Sequence, residues 1–127
     1  MDGTFKYRIL IVDDEPALAT ILTSFLSFQG YLCDRATNGR AALRMVSQNH
    51  FDVVITDILM PEMDGITLTQ KLSQQFPNLF IMVMTGYYDD NSMESAIAAG
   101  AHEFIKKPFS LEEFDMRFQR MMREIKA

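Results

Sequence analysis

Apolar segments alternate with helical patterns along this chain, and this alternation restricts the fold more than any other feature. Five short apolar segments predict strands, and each is followed by a stretch in which apolar residues have helical spacing. The predicted strands are residues 7–12, 31–36, 51–56, 79–85 and 102–106. Several are apolar on both faces, as in strands that helices cover on both sides. The pattern therefore predicts an α/β fold, a parallel sheet between two helical layers with right-handed connections.

Helix ends are also visible in the sequence. Pro16 is typical of a first helical turn, and Gly30 follows the end of the same helix. Asn38-Gly39 indicates a turn before the second helix, and the third helix ends before Pro77. These signals separate the first three helices from the strands around them.

The last two helices carry the pattern of a capping box. Asn91 with Glu94 predicts the start of the fourth helix, which ends at Gly100. Ser110 with Glu113 predicts the start of the fifth.

Length and composition indicate one domain, residues 1–127. The chain is 48% hydrophobic and 23% charged, which is typical of globular proteins and not of disordered chains. Its longest apolar run, Leu79–Met84, is far shorter than the roughly 20 residues of a membrane span, and its start does not resemble a secretory signal. With Cys33 as the single cysteine, no internal disulfide can form, so we expect a reducing compartment, the cytoplasm.

The charge distribution argues against direct binding to nucleic acid. The formal net charge is -5, so phosphate backbones are repelled by the chain as a whole. Six of the twelve basic residues nevertheless fall in the last 22 positions, and the favoured interpretation is a solvated helix whose cations complement its negative end. They are Lys106, Lys107, Arg117, Arg120, Arg123 and Lys126.

Polar residues follow the predicted strands at the point where each strand ends. In parallel α/β sheets this carboxyl edge is where ligands bind. Each residue alone has a structural explanation, as a helix cap, a turn or a solvated charge. Together, however, carboxylates crowded at one edge repel each other unless a cation lies between them. The residues are Asp13, Asp14, Glu15, Asp57, Thr85, Gly86, Lys107 and Pro108.

This set of residues predicts a magnesium site. Mg²⁺ prefers carboxylate oxygens and leaves positions for phosphate, whereas zinc would require His or Cys ligands that this edge lacks. We expect Asp13 and Asp14 to hold the ion. His50 precedes the third strand and His102 begins the fifth, so both are expected to be structural.

The same edge has the groups needed to move a phosphoryl group. A metal ion and an ammonium offset the charge of the transferred group, a hydroxyl donates to one of its oxygens, and a carboxylate serves as nucleophile. Asp57, at the end of the central strand, is the best-placed nucleophile, with Lys107 and Thr85 as its partners.

Four motifs in this order resemble the receiver domain of two-component response regulators. They are "VDDEP" at 12–16, "DILMPEMDG" at 57–65, "MTG" at 84–86 and "AAGAHEFIKKPF" at 98–109, and the resemblance extends over residues 7–125. It implies a flavodoxin-like (βα)5 fold whose parallel strands have the order 2-1-3-4-5. The alternation of elements alone does not determine that order.

The resemblance also implies a role for each site residue. Asp57 would accept a phosphoryl group from a phosphohistidine on a sensor histidine kinase or histidine phosphotransfer protein. Catalysis would be limited to the domain's own phosphorylation and dephosphorylation, so the domain is not an enzyme for an external substrate. The implied Mg²⁺ ligands are Asp13, Asp14, Asp57 and the backbone carbonyl of Leu59.

The remaining implied roles concern the response to phosphorylation. Lys107 would pair with the phosphoryl oxygens, and its peptide bond to Pro108 is typically cis in relatives. Thr85 would move toward the phosphoryl group, and Phe104 would move inward behind it, as a shift between two packings. Because Phe104 has no hydroxyl, only its packing can report the state of the switch.

Two further residues bear on how long the phosphoryl group persists. Relatives tune its loss through the residues two past the acceptor and two past the threonine, here Leu59 and Tyr87. We expect these apolar and bulky side chains to hinder an attacking water and to make the phosphorylated form long-lived.

In the family, the fourth helix, fifth strand and fifth helix form the output face. It would contact a downstream protein partner or output domain, or form a homodimer. Whether the chain is a free-standing regulator or a domain of a longer protein stays open, and an attached DNA-binding output would follow Ala127. The residues expected on this face are Met93, Ile97, Phe104, Arg117, Arg120 and Arg123.

Three other functions compete with this interpretation. A flavodoxin-like electron carrier would need a loop of amides after the first strand to bind the flavin phosphate, which Asp13 and Asp14 would repel. A haloacid-dehalogenase-type phosphatase has a second aspartate two residues after its nucleophile on the first strand, a spacing that "DDEP" lacks. The remaining alternative is a receiver-like interaction module that is not phosphorylated.

Overall fold

The computed structural model describes residues 6–86 and 91–126, and within them a five-stranded sheet lies between two layers of helices. The strands are β1 Arg8–Val12, β2 Leu32–Ala36, β3 Val53–Asp57, β4 Phe80–Thr85 and β5 Glu103–Lys106. The helices are α1 Pro16–Phe28, α2 Gly39–Gln48, α3 Gly65–Gln75, α4 Ser92–Ala99 and α5 Leu111–Lys126. The predicted α/β alternation is confirmed.

The sheet is parallel throughout, with the strand order β2-β1-β3-β4-β5 that the resemblance implied. Val12 at the end of β1 lies beside Thr56 of β3, and Asp57 lies beside Met84 of β4. The register therefore brings the carboxyl ends of the strands to a common edge.

Each face of the sheet has its own apolar core, because successive side chains of a strand point to opposite faces. One core joins the sheet to α2, α3 and α4, and the other joins it to α1 and α5. The second contains the edge-to-face pair Phe25 and Phe114 and the stacked pair Phe114 and Phe118. No helix within the described ranges is both long enough and apolar enough to span a membrane.

Several predicted helix ends are confirmed. α1 begins at Pro16 as expected. Gly30, with φ of 100°, and Gly100, with φ of 115°, follow α1 and α4 in left-handed conformations that glycine adopts without a steric penalty. The Ser110 hydroxyl accepts a hydrogen bond of 3.0 Å from the amide of Glu113 at the start of α5.

Asn91 is the N-cap residue of α4, as predicted, but the prediction that its side chain caps the helix is wrong. Its backbone is helical, with φ of -105° and ψ of -5°, and its side chain makes no capping hydrogen bond to α4. A capping side chain reaches the first free amides of a helix from extended backbone, which Asn91 does not have. Two caps do have that geometry: Asn38 accepts from the amide of Ala41, and Asp64 accepts from the amide of Thr67.

Candidate functional site

The residues after β1 form one side of a cleft at the carboxyl edge of the sheet. The amide of Asp13 continues the pairing of β1 with β2 by donating to the carbonyl of Ala36, and the backbone carbonyl of Asp13 accepts from the guanidinium of Arg35. The backbone of Asp13 is therefore fixed, and its side chain is buried whereas Asp14 and Glu15 are exposed.

The Asp13 carboxylate is fully buried but incompletely paired. Oδ1 accepts a hydrogen bond of 2.9 Å from the amide of Glu15, whereas Oδ2 has no hydrogen-bond partner among the described residues. The ammonium of Lys107 lies 3.8 Å from Oδ2, beyond hydrogen-bond distance. Burial raises the pKa of the Asp13 carboxyl above its ordinary value, although the Glu15 amide and the Lys107 charge oppose this. Oδ2 of ionised Asp13 thus has a long ion pair with Lys107 and no hydrogen bond, and a closer cation would stabilise it.

Asp57 is the last residue of β3, and only 5% of it is exposed. Oδ1 accepts from the amide of Ile58 at 2.9 Å, and Oδ2 accepts from the ammonium of Lys107 at 3.0 Å. Gly65, at the start of α3, allows that helix to approach β3, because a Cβ there would collide with the backbone carbonyl of Asp57. The helix start therefore helps to fix the position of Asp57.

Lys107 lies across the cleft from Asp13 and Asp57. Its amide donates to the carbonyl of Thr85 at 2.7 Å, and its peptide bond to Pro108 is cis, as the resemblance implied. The ammonium also donates to Oε1 of Glu15, at 3.1 Å. Burial by itself lowers the pKa of Lys107, but the hydrogen bonds to Asp57 and Glu15, together with the negative charges of Asp57 and Asp13, outweigh burial and raise the pKa above its ordinary value. The lysine is thus held in its charged form.

The chemistry of the carboxylates fits a hard cation. Among the described residues, one group is spaced to share a metal ion: an oxygen from each of Asp13, Asp14 and Asp57 lies within 4.8 Å of the others. Three carboxylates without His or Cys are suited to Mg²⁺ and not to zinc. Asp13 also has a buried oxygen, Oδ2, that accepts no hydrogen bond from the described residues, which gives independent support for the fit.

The cleft above these carboxylates is open to solvent. It has a volume of about 310 Å³ and is lined by Asp14, Glu15, Asp57, Leu59, Gly86 and Lys107. Leu59 is 56% exposed, so its apolar side chain stands at the rim. The expected role of Leu59 in the lifetime of the phosphoryl group stays a prediction, and its predicted partner Tyr87 lies outside the described residues.

Thr85 lies on β4, which pairs with β3, and Phe104 lies on β5, the edge strand beyond β4. Thr85 ends β4 with 1% exposure, and the backbone pairing places it next to Lys106 of β5. Phe104 is 7% exposed and packs in the core between the sheet and α2, α3 and α4. Its ring is thus already directed inward here, and the expected movement of Phe104 stays a prediction.

The face formed by α4, β5 and α5 has an apolar floor and charged sides. Met93 and Ile97 are more than half exposed, and they line a shallow cavity of about 340 Å³ together with Phe104, Arg117 and Arg120. Sequence reasoning placed these five residues together correctly. It also assigned Arg123 to this face, and that assignment stays a prediction.

Sequence reasoning missed a buried acid beneath these arginines. Glu103, on β5, is 6% exposed, and its two oxygens accept from Nη2 and Nε of Arg120 at 2.8 and 3.0 Å. Arg117 lies 3.6 Å from Glu103 and donates to the carbonyl of Phe104. Two of the cations that appear free in the sequence are therefore paired. No local signal predicts this, because the pairing depends on how α5 crosses β5.

The two histidines lie away from the acidic cleft, as predicted. Nε2 of His50 is 2.9 Å from Oδ1 of Asp52, before β3. Nδ1 of His102 accepts from the amide of Ile81, and its ring packs on Phe80 at a centroid distance of 4.4 Å.

A doubly wound α/β domain with paired acids after β1, an acid after β3 and a lysine after β5 is the arrangement found in response regulators. A profile described as "Response regulator receiver domain" matches residues 9–119. The chain therefore belongs to the response regulator receiver domain family.

Curated relatives include a regulatory protein and a response regulator. The chain is 37% identical over 115 residues to the regulatory protein AtoC of Escherichia coli and 35% identical over 116 residues to the response regulator MprA of Mycolicibacterium vanbaalenii. Each alignment covers 91% of this chain, but 25% of AtoC and 50% of MprA. The chain thus spans half or less of the length of these curated relatives.

Solved structures match over nearly the full chain. The chemotaxis protein CheY4 of Vibrio cholerae is 28% identical, with a TM-score of 0.86 over 92% of this chain and 99% of that one. The response regulator TrrA of Thermotoga maritima, solved in complex with Mg²⁺ and BeF, is 30% identical, with a TM-score of 0.81 over 91% of this chain and 98% of that one.

Proposed function

We propose that residues 1–127 act as a single receiver domain in the cytoplasm, in which Asp57 accepts a phosphoryl group from a phosphohistidine and Mg²⁺ assists. The observation that carries this proposal is the convergence on one cleft of Asp57, the charged Lys107 and the buried, incompletely paired Asp13. A structural cluster would pair its buried carboxylates fully. This one leaves Oδ2 of Asp13 without a hydrogen bond from the described residues, which supports a role in holding a cation.

The transfer exchanges one bond to phosphorus for another. An Asp57 oxygen forms a bond to phosphorus as the bond between phosphorus and the histidine nitrogen breaks, and the electron pair of that bond stays on the nitrogen. Lys107 is placed to offset negative charge on the transferred oxygens, because its ammonium already lies 3.0 Å from Oδ2 of Asp57. Since Asp57 is nearly buried, the donor has to enter through the open cleft.

The metal would be held by Asp13, Asp14 and Asp57, with the backbone carbonyl of Leu59 as a further ligand. When bound, Mg²⁺ supplies positive charge against the phosphoryl oxygens. Asp13 helps to orient such a site because the Glu15 amide holds its other oxygen. The Mg²⁺ and BeF bound by TrrA support this assignment by analogy.

Phosphorylation would be read out at the face formed by α4, β5 and α5. We propose that Thr85 and Phe104 couple this face to Asp57 and that its occupant is a downstream protein, an output domain or a second copy of the chain. Exposed Met93 and Ile97 favour contact with protein, and the net charge of -5 disfavours nucleic acid.

Intact-mass measurement tests the proposal. After incubation with Mg²⁺ and acetyl phosphate, we expect the wild-type protein to gain one phosphoryl group. A metal-free sample and Asp57→Ala, with folding verified by circular dichroism, should gain none. Failure of the folded wild-type protein with acetyl phosphate and with a phosphorylated histidine donor would instead favour a receiver-like module that is not phosphorylated.

A further inference from the structure

Glu15 is the third acid after β1, and the proposed phosphoryl transfer leaves it without a role. Its side chain is 62% exposed, yet Oε1 lies 3.1 Å from the ammonium of Lys107. That distance is close to the 3.0 Å between the same ammonium and Oδ2 of Asp57. Lys107 is therefore shared between a buried carboxylate and an exposed one.

The position of Glu15 matters because of where an incoming group must pass. Lys107 is 16% exposed and Asp57 is 7% exposed at their side chains, so both are reached through the cleft that Glu15 helps to line. A phosphoryl group bound to Asp57 would place its oxygens within reach of the same ammonium. The Glu15 carboxylate occupies one of the three donor positions of that ammonium.

Two carboxylates on one ammonium also bear on the balance of charge. The Lys107 ammonium lies within 3.8 Å of carboxylate oxygens of Asp13, Asp57 and Glu15, and Asp14 adds a fourth carboxylate near Asp13 and Asp57. An added phosphoryl group brings further negative charge close to Glu15, and like charges repel. Because Glu15 is exposed, it can move into solvent at low cost, which the buried Asp13 and Asp57 cannot do.

We propose that Glu15 is a positioning residue that holds Lys107 while Asp57 is unmodified and competes with the phosphoryl group for it. This inference rests on the proposed function. Glu15 lowers the affinity of the cleft for a phosphoryl group and keeps the lysine in place between reactions. The exposed acid therefore sets how readily the site is filled, and it acts through Lys107 and not as a ligand of the metal.

The test measures binding of beryllofluoride, a phosphoryl analogue, in the presence of saturating Mg²⁺. Isothermal titration compares the wild-type protein with Glu15→Gln, which keeps the size of the side chain and removes its charge. We expect the dissociation constant for beryllofluoride to fall about fivefold in Glu15→Gln. A fivefold change corresponds to about 1 kcal/mol, the energy of an exposed ion pair. Titration with Mg²⁺ alone should give the same affinity for both proteins within about twofold, since Glu15 is not a proposed ligand.

A matched control separates this effect from a general change in charge. Glu112, in the first turn of α5, is also an exposed acid, and Glu112→Gln removes one charge without touching Lys107. We expect its affinity for beryllofluoride to equal that of the wild-type protein. In a Lys107→Gln background, titrated with beryllofluoride to millimolar concentration, Glu15→Gln should not raise the affinity for beryllofluoride. The residue through which Glu15 acts is then missing.

The outcomes distinguish this inference from the proposed function. Wild-type protein that binds no beryllofluoride with Mg²⁺ would overturn both. Wild-type binding with no gain in Glu15→Gln, or an equal gain in Glu112→Gln, would overturn the role of Glu15 alone. Weaker binding of Mg²⁺ by Glu15→Gln would identify Glu15 as a metal ligand. A gain in beryllofluoride affinity that persists without Lys107 would show that Glu15 acts only as a repulsive charge. Either result would also overturn the inference.

Discussion

Asp13 and Glu103 are both buried carboxylates at the ends of strands, but they differ in how fully they are paired. Glu103 receives two hydrogen bonds from Arg120 and one from the amide of Phe104, with Arg117 nearby. Asp13 has one amide partner and an oxygen with no hydrogen bond among the described residues.

Under the proposed function, this difference separates a carboxylate that stabilises the fold from one that is available to a ligand. A buried charge is costly unless it is paired, so natural cores rarely retain an unpaired one. Burial raises the pKa of Asp13, which shows that its ionised form is disfavoured in the isolated domain. A bound cation would remove that penalty, whereas Glu103 needs no ligand.

The largest expected effect comes from a substitution in the proposed metal site. Asp13→Asn removes one charged ligand and should weaken Mg²⁺ binding about a hundredfold or more, since even the outer partners of metal ligands contribute about 10- to 100-fold. Isothermal titration with Mg²⁺ measures the affinity. Unchanged affinity would contradict the assignment of Asp13 to the metal.

The second expected effect comes from disrupting the ion pair between Glu103 and Arg120. Glu103→Gln should lower the free energy of unfolding by about 2 kcal/mol, less than for a fully buried ion pair because Arg120 is more than half exposed and can be solvated. Chemical denaturation measures the change, with Glu112→Gln as a control expected to stay within about 0.5 kcal/mol. A loss in Glu103→Gln no larger than in the control would show that the pairing does not stabilise the domain.

The third prediction concerns the same substitution, Asp13→Asn, and its effect on stability when no metal is present. Without metal, Asp13→Asn should raise the free energy of unfolding by about 1 kcal/mol, because it removes a buried charge whose Oδ2 accepts no hydrogen bond and is paired with Lys107 only at 3.8 Å. Mg²⁺ should stabilise the wild-type protein and leave the variant nearly unchanged, since only the wild-type site binds it well. A variant that is less stable than the wild-type protein without metal would argue that the Asp13 charge is already compensated.

The smallest expected effect concerns His102, which precedes Glu103. Burial lowers the pKa of the His102 imidazole below its ordinary value of 6.5, and Nδ1 accepts from the Ile81 amide only while unprotonated. The unfolded chain therefore binds the proton more readily, so the folded state loses stability as pH falls below 6.5 toward the lowered pKa. His102→Gln should reduce this loss between pH 7 and pH 5, in unfolding experiments done in parallel. If the free energy of unfolding depends on pH equally in both proteins, this role of His102 is contradicted.

The strand and helix order and the main site residues could be predicted from the sequence because both depend on local patterns. Apolar runs indicate strands, and the ends of parallel strands meet at one edge, which places Asp13, Asp57 and Lys107 together. Strand order needed the family resemblance, because alternation alone permits several parallel arrangements.

Pairings between distant side chains could not be predicted. Arg120 and Glu103 meet because α5 crosses β5, and Lys107 reaches Glu15 across 92 residues of sequence. The predicted cap at Asn91 failed for a related reason. The residue type fits a cap, but its helical backbone prevents the capping hydrogen bond.

Chemical trapping of the acceptor tests the central claim most directly. After incubation with Mg²⁺ and a phosphohistidine donor, borohydride reduces an aspartyl phosphate to homoserine, which tandem mass spectrometry locates in the sequence. We predict homoserine at position 57 and at neither Asp13 nor Asp14. Homoserine at either of those residues, or at no residue of a folded and metal-loaded protein, would contradict the assignment of Asp57 as the phosphoryl acceptor.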